Sequence, residues 1–87
     1  MEFTYRPRGT CAQSIRFRLE NGLVHDIRFS GGCHGNLQGI SKLAEGMEAQ
    51  AVIHRLEGLH CGLKNTSCPD QLAQALRQAL EAAENQK

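Results

Sequence analysis

The sequence lacks an excess of charge of either sign. Ten Lys and Arg residues stand against nine Asp and Glu residues, which gives a formal net charge of +1 at pH 7. Such a chain has no strong electrostatic field that would draw it onto nucleic acid or an anionic membrane surface. We therefore expect no nucleic-acid partner.

The sequence also lacks an apolar run close to the ~20 residues that a membrane-spanning helix needs. Its first eight residues do not have the apolar stretch of a secretion signal. We expect a cytoplasmic protein with no membrane partner. Because the cytoplasm is reducing, its four cysteines favour metal binding or redox chemistry over two structural disulfides. Two disulfides would be the preferred interpretation only if the protein were exported.

The composition is that of a small globular domain. Of its 87 residues, 40% are hydrophobic and 22% are charged, which is ordinary for a folded protein. A chain this short buries only about 60% of the surface that its unfolded form exposes. We expect one domain over residues 1–87, with one modest core that a metal centre would help to stabilise.

Two runs of alternating apolar and polar side chains predict a β-hairpin. Their apolar members are Ile15, Phe17 and Leu19 in the first run, and Leu23, Ile27 and Phe29 in the second. Glu20-Asn21-Gly22 supplies the turn, and a three-residue loop keeps both apolar sets on one face. The short β-prone segment Phe3-Thr4-Tyr5 can add a third strand.

This hairpin register has a consequence for two cysteines. It pairs Leu19 with Leu23 and Ile15 with Ile27. It also places Cys11 opposite Gly31, one diagonal step from Cys33 on the same face. Two of the four cysteines are therefore expected to meet at one end of the hairpin.

Helical spacing predicts three helices after the hairpin. The first runs from Leu37 to Glu45 with Asn36 as its N-cap, the second lies around Glu48 to Glu57, and the third opens at Ser67-Cys68-Pro69-Asp70, a capping box. Their apolar stripes are Leu37, Ile40 and Ala44, then Val52, Ile53 and Leu56, then Leu72, Leu76, Ala79, Leu80 and Ala83. In the last helix Gln71, Gln74, Gln78 and Glu81 are expected to face solvent. The fold class is α+β, with a two- or three-stranded antiparallel sheet and three helices packed on one face.

The four cysteines are expected to form one site. Cys68 lies at a helix N-terminus, where unpaired backbone N–H groups favour a thiolate, and Cys33 lies close to one. The hairpin register brings Cys11 to them, and Cys61 is only seven residues before Cys68. Four thiolates can hold zinc or an iron-sulfur cluster.

The spacing of the cysteines is a weaker signal than their number. No Cys-x-x-Cys pair occurs, and the separations match no common zinc-finger pattern. Each cysteine could instead be a small buried hydrophobic residue, although all four have Gly, His, Pro or polar neighbours. His34 or His60 could replace one ligand, but a lone histidine is more often a surface or hydrogen-bonding residue.

A third hypothesis concerns the glycine-rich segment Gly31–Asn36. The backbone around Gly32, Gly35 and Asn36 could cradle the phosphate of a nucleotide or flavin. The segment lacks both the Walker motif and the dinucleotide fingerprint, so glycines for a tight turn are the simpler interpretation. No Ser-His-Asp constellation or carboxylate pair stands out, and no catalytic residue is predicted.

Four cysteine-containing blocks resemble the TSCPD domain family. They are Gly9-Thr10-Cys11, Gly32-Cys33-His34-Gly35-Asn36, Leu59-His60-Cys61-Gly62 and Thr66-Ser67-Cys68-Pro69-Asp70. The family consists of small bacterial four-cysteine proteins and is similar to a C-terminal segment of vitamin B12-dependent ribonucleotide reductases. The resemblance implies a link to ribonucleoside-diphosphate reductase and DNA synthesis. The chain has no room for the reductase barrel itself.

A fainter resemblance is to the NifU-like iron-sulfur scaffold. It implies that Cys11, Cys33 and Cys68 take the three scaffold cysteine positions and that Cys61 is an addition. The scaffold's acidic residue shortly after the first cysteine is missing, because Ala12 and Gln13 follow Cys11. A stable four-thiolate site therefore fits better than labile cluster transfer.

These observations favour two functions. The first is a zinc or iron-sulfur accessory module that docks to ribonucleotide reductase or another redox protein. The second is a thiol-disulfide relay, with Cys68 as the attacking thiolate and Cys61 as its resolving partner. A homo-oligomer is also open, since small domains often share a core or a site between subunits.

Overall fold

The computed structural model describes residues 1–10, 12–31, 34–59 and 66–85. It has a three-stranded antiparallel sheet in the order β1-β2-β3, followed by three helices. The elements are β1 (Glu2–Tyr5), β2 (Ala12–Glu20), β3 (Leu23–Gly31), α1 (His34–Ala44), α2 (Ala49–Leu56) and α3 (Cys68–Asn85). The α+β prediction is confirmed, and so is the third strand. Likeness to the NifU scaffold stays a prediction.

The hairpin turn differs from the predicted one. Glu20 pairs with Leu23, so the loop is the two-residue turn Asn21-Gly22. Both residues have positive φ angles, 54° and 78°, as a type I′ turn requires. Leu19 therefore pairs with Val24 instead of Leu23, and Val24 becomes the fully buried residue. The predicted three-residue loop and its register are wrong.

A β-bulge explains why the apolar pattern suggested another register. Arg18 pairs with His25 but Arg16 pairs with Arg28, so two residues of β3 face one residue of β2. Asp26 has a φ of 54° within this irregularity. The extra residue lets Val24 and Ile27 both point into the core although they are three positions apart.

A second irregularity lies near the open end of the hairpin. Ser14 pairs with Ser30 and Ala12 pairs with Gly31, so Gln13 is the extra residue on β2. The predicted placement of Cys11 opposite Gly31 is therefore wrong, because Ala12 occupies that position. Cys11 and Cys33 themselves lie outside the described residues.

The core lies between one face of the sheet and the helices. Ile15, Val24, Ile53, Leu72 and Leu76 are almost completely buried in one cluster. At the sheet edge, the rings of Phe3 and Phe17 stack with centroids 5.6 Å apart, which holds the short strand β1 against β2. The prediction that the helices pack on one face is confirmed.

The helix stripes are confirmed with two corrections. Helix α1 begins at His34, earlier than predicted, so Asn36 is inside its first turn and is not the N-cap. Gln71 of α3 is only 4% exposed, whereas it was predicted to face solvent. Gln74, Gln78 and Glu81 are exposed as predicted. In the described part of the chain, none of the helices combines the length and the apolar character that crossing a bilayer requires.

Candidate cysteine site at the start of helix α3

Cys68 is the first residue of α3, and its side chain is partly exposed. Its thiol forms no disulfide with any described residue. The first N–H groups of a helix have no partners within that helix, and their positive potential favours a thiolate or a bound anion. The other predicted ligands, Cys11, Cys33 and Cys61, lie outside the described residues, as does His60.

The turn that opens α3 is built by Ser67. Its hydroxyl oxygen accepts a hydrogen bond from the Asp70 N–H at 3.2 Å, which is half of the predicted capping box. The same hydroxyl donates to the Leu59 carbonyl oxygen at 2.7 Å. The residue next to Cys68 is thereby tied to a residue two positions before Cys61.

Asp70 connects the start of α3 with the residues that follow α2. It is only 7% exposed. Its carboxylate accepts hydrogen bonds from the Gly58 N–H at 2.7 Å, from the Thr66 hydroxyl and from the Gln74 side-chain amide at 3.1 Å. A buried carboxylate with several donors is strongly held, because the carboxylate itself would be costly to leave without partners. Asp70 therefore fixes the end of α2 against the start of α3.

Gln71 joins the N-terminal segment to the same corner. Its side-chain oxygen accepts hydrogen bonds from the Arg8 N–H at 3.1 Å and the Tyr5 hydroxyl at 3.3 Å. Its side-chain nitrogen donates to the Thr66 hydroxyl oxygen at 3.0 Å. Sequence reasoning missed this residue because its partners Tyr5 and Arg8 are more than 60 positions away.

The segment leading to Cys11 passes close to Thr66. A Cβ atom placed on Gly9 would lie 3.2 Å from the Thr66 methyl carbon, and Gly9 has a φ of 73°. Any larger residue would therefore be both crowded and strained at this position. Beside it, the hydroxyl oxygen of Thr10 is buried and has no hydrogen-bond partner among the described residues.

The residues of the predicted nucleotide loop are described only in part. Gly35 and Asn36 are exposed in the first turn of α1, and Gly32 is outside the described residues. Within residues 1–10, 12–31, 34–59 and 66–85, no three His, Cys, Asp or Glu side chains come together as a metal site. Of the four proposed thiolate ligands, these ranges contain only Cys68.

Comparison with known proteins gives one match. The family model described as the TSCPD domain matches residues 3–80 of the 87-residue chain. This range contains all four cysteines. Neither a curated protein nor a solved structure matches the chain.

Proposed function

The chain belongs to the TSCPD domain family, and on that premise we propose that it is a small binding module whose four cysteines hold zinc or an iron-sulfur cluster. The ligands in this proposal are Cys11, Cys33, Cys61 and Cys68. The module serves as an accessory unit of ribonucleotide reductase or of another redox protein. The observation that carries the proposal is the way the described neighbours of these cysteines are held at the start of α3.

The neighbours of two cysteines contact the α3 turn directly. Gly9, two residues before Cys11, lies against Thr66. Leu59, two residues before Cys61, accepts the hydrogen bond from Ser67. Only one residue separates each of these neighbours from its cysteine in the sequence. This supports a common site with Cys68.

Support for Cys33 as a ligand comes from the pairing of β2 with β3. Gly31, two residues before Cys33, pairs with Ala12, the residue directly after Cys11. The hairpin end and the α3 turn are therefore joined through the short segment from Gly9 to Ala12. These connections between the described neighbours support the proposal of one four-thiolate centre.

The unpaired hydroxyl of Thr10 also supports thiolate ligands. A buried donor without a partner costs about 1–3 kcal/mol, and among the described residues this oxygen has none. A thiolate sulfur of the adjacent Cys11 or of another ligand could accept its hydrogen bond. Hydrogen bonds to cysteine sulfur are a usual means of stabilising metal-thiolate centres.

Metal analysis of the full chain purified without oxygen tests the proposal. We expect either about one zinc per chain and no visible absorption, or iron with sulfide and a coloured spectrum. Changing each of the four cysteines singly to serine should release the metal. The matched control is His54→Gln on α2, whose side chain is 77% exposed, and this variant should keep full occupancy.

A second measurement covers variants that fail to fold. Titration of the wild-type protein with a chelator should remove the metal and expose four reactive thiols together, because the four ligands belong to one centre. A folded, metal-free protein whose four thiols react independently would contradict the proposal.

A thiol-disulfide relay is the second candidate, favoured by the partial exposure of Cys68 at a helix N-terminus. In this function the thiols of Cys68 and Cys61 reduce a partner's disulfide to two thiols and become a disulfide themselves. Mass spectrometry after incubation with a disulfide substrate should then show a loss of two hydrogens and a Cys61–Cys68 link. A Cys68 thiol that reacts no faster than a peptide thiol would rule the relay out.

A further inference from the structure

The outer edge of β3 is protected along only part of its length. Near the hairpin turn, the Val24 N–H donates to the Met47 carbonyl at 2.9 Å, and the Val24 carbonyl accepts from the Gly46 N–H at 2.7 Å. Farther along, the Asp26 N–H donates to the Glu45 carboxylate at 2.9 Å. These contacts occupy the edge from the turn to the bulge, as edge strands commonly require.

Beyond the bulge, the backbone of Phe29 faces away from the sheet. On β2 the Leu19 backbone bonds to Met1 on the β1 side, and in an antiparallel sheet this direction alternates along the strand. Ile15 therefore also bonds toward β1, and its partner Phe29 directs its N–H and C=O to the outer edge. In the described part of the chain these two groups have no partner.

A groove runs along this unprotected edge. Its volume is about 520 Å³. One wall is formed by residues 26–30 of β3, and the other by Leu37, Gln38, Ser41 and Lys42 of α1 together with Glu45, which directly follows the helix. Because consecutive strand residues line it, the groove follows the strand edge and not a single face of the sheet. Such a groove between a strand edge and a helix suits an extended peptide.

The charge of the groove is set by which of its ionic groups already have partners. The Asp26 carboxylate forms an ion pair with the Arg18 guanidinium, with Nε and Oδ2 3.2 Å apart. The Glu45 carboxylate forms a hydrogen bond with the His25 ring, with Nδ1 and Oε2 2.7 Å apart. Among the described residues, Arg28 and Lys42 form no ion pair. The groups available to a ligand are therefore the two cations, one on each wall.

We propose that an extended acidic segment of a partner protein binds in this groove as an added strand. Its backbone pairs with the N–H and C=O of Phe29, and its carboxylates meet Arg28 and Lys42. A second copy of β3 fits less well, because it would bring its own Arg28 to a strand that already carries Arg16 directly opposite Arg28. Like charges at such close range oppose pairing.

Nuclear magnetic resonance with a defined probe tests this surface independently of the cysteine site. The probe is a capped five-residue peptide of alternating glutamate and valine, added to the full chain. We expect saturable shifts confined to residues 27–30 and 37–42, with the Phe29 amide becoming protected from hydrogen exchange. Charge reversal by Arg28→Glu together with Lys42→Glu should weaken binding at least tenfold. The matched control, Arg55→Glu on the exposed side of α2, should bind as the wild type does.

A second peptide separates strand pairing from simple ionic attraction. N-methylation of alternate peptide amides removes the backbone donors but keeps the charge, so this probe should bind at least tenfold more weakly. Equal binding of the two peptides would overturn the proposal. So would shifts elsewhere on the protein, an absence of saturation, or sedimentation showing that the β3 edge joins two copies of the chain and excludes the peptide.

Discussion

The protein contains two polar networks that differ in exposure. One lies at the start of α3, where Asp70 is 7% exposed and Gln71 is 4% exposed. The other surrounds the bulge of β3, where the side chains of Asp26 and Glu45 are 62% and 47% exposed. Water reaches the exposed side chains of the second network readily, whereas Asp70 and Gln71 would lose their partners in a largely buried position. The buried network should therefore contribute more to stability than the exposed one.

The largest expected effect comes from breaking the buried network at Asp70. Asp70→Ala removes the acceptor for Gly58, Thr66 and Gln74 at once. Losing a buried carboxylate that accepts three hydrogen bonds should lower the free energy of unfolding by about 3 kcal/mol. At about 4–8 °C per kcal/mol for a domain of this size, Tm should fall by roughly 12–24 °C in a thermal melt followed by circular dichroism.

A carboxylate on the exposed side of the same helix is the control for Asp70. Glu81→Ala should change the free energy of unfolding by no more than about 0.5 kcal/mol. If the two variants melted at the same temperature, burial would not distinguish the two networks, and the comparison would fail.

The next largest effect is expected for the contact between Gln71 and the N-terminal segment. Gln71→Ala removes the acceptor for the Tyr5 hydroxyl and the Arg8 N–H. We expect a loss of about 2 kcal/mol in urea unfolding, against about 0.5 kcal/mol or less for the exposed Gln78→Ala. A double-mutant cycle with Tyr5→Phe should show positive coupling. Strict additivity would mean that the Tyr5 contact contributes nothing.

Much of the fold follows from local sequence patterns. Alternation in β2 predicts that Ile15, Phe17 and Leu19 share the buried face, and all three are buried. Helical spacing predicts the apolar side of α3, where Leu72 and Leu76 are fully buried. These elements are predictable because the residues that define each pattern are close together in the chain.

The features of the fold that the sequence patterns did not predict depend on contacts between distant residues. The Asn21-Gly22 pair is itself a type I′ turn signal, but the parity of Leu23, Ile27 and Phe29 pointed to a longer loop. That parity misled because the bulge shifts the strand by one residue, and the Asp26 backbone there is held by Glu45 of a following segment. No pattern within β3 could indicate this partner.

The same reason limits prediction of the candidate site. The capping residues Ser67 and Asp70 could be recognised beside Cys68, and the Ser67 cap is confirmed. The docking of Gly9 onto Thr66 and of Arg8 onto Gln71 has no local signal. The sequence could therefore propose that the cysteines converge, while the contacts that support this come from the fold.

The smallest expected effect concerns the exposed network and its dependence on pH. The Asp26 N–H, followed by His25, lowers the pKa of Glu45 below its ordinary value by favouring the carboxylate. A group with a lowered pKa in the folded state stabilises it above the ordinary pKa and loses that contribution as the pH falls through the folded value. The difference in urea midpoint between the wild type and Glu45→Gln should therefore be small at pH 7 and vanish toward pH 3.

The variant Glu45→Asp separates charge from geometry in this network. It keeps the negative charge but withdraws the carboxylate from the Asp26 N–H, 2.9 Å away in the wild type. If that hydrogen bond fixes the bulge, Glu45→Asp should unfold at a lower urea concentration than Glu45→Gln at pH 7, because the glutamine side-chain oxygen can still accept from the Asp26 N–H. A wild-type midpoint in Glu45→Asp would show that the carboxylate acts only through long-range charge, and the exposed network would then have no structural role to set against the buried one. A Glu45→Gln difference that persists at pH 3, where the wild-type carboxyl group is protonated, would show that the difference does not come from the charge of Glu45 and would contradict the expected pH dependence.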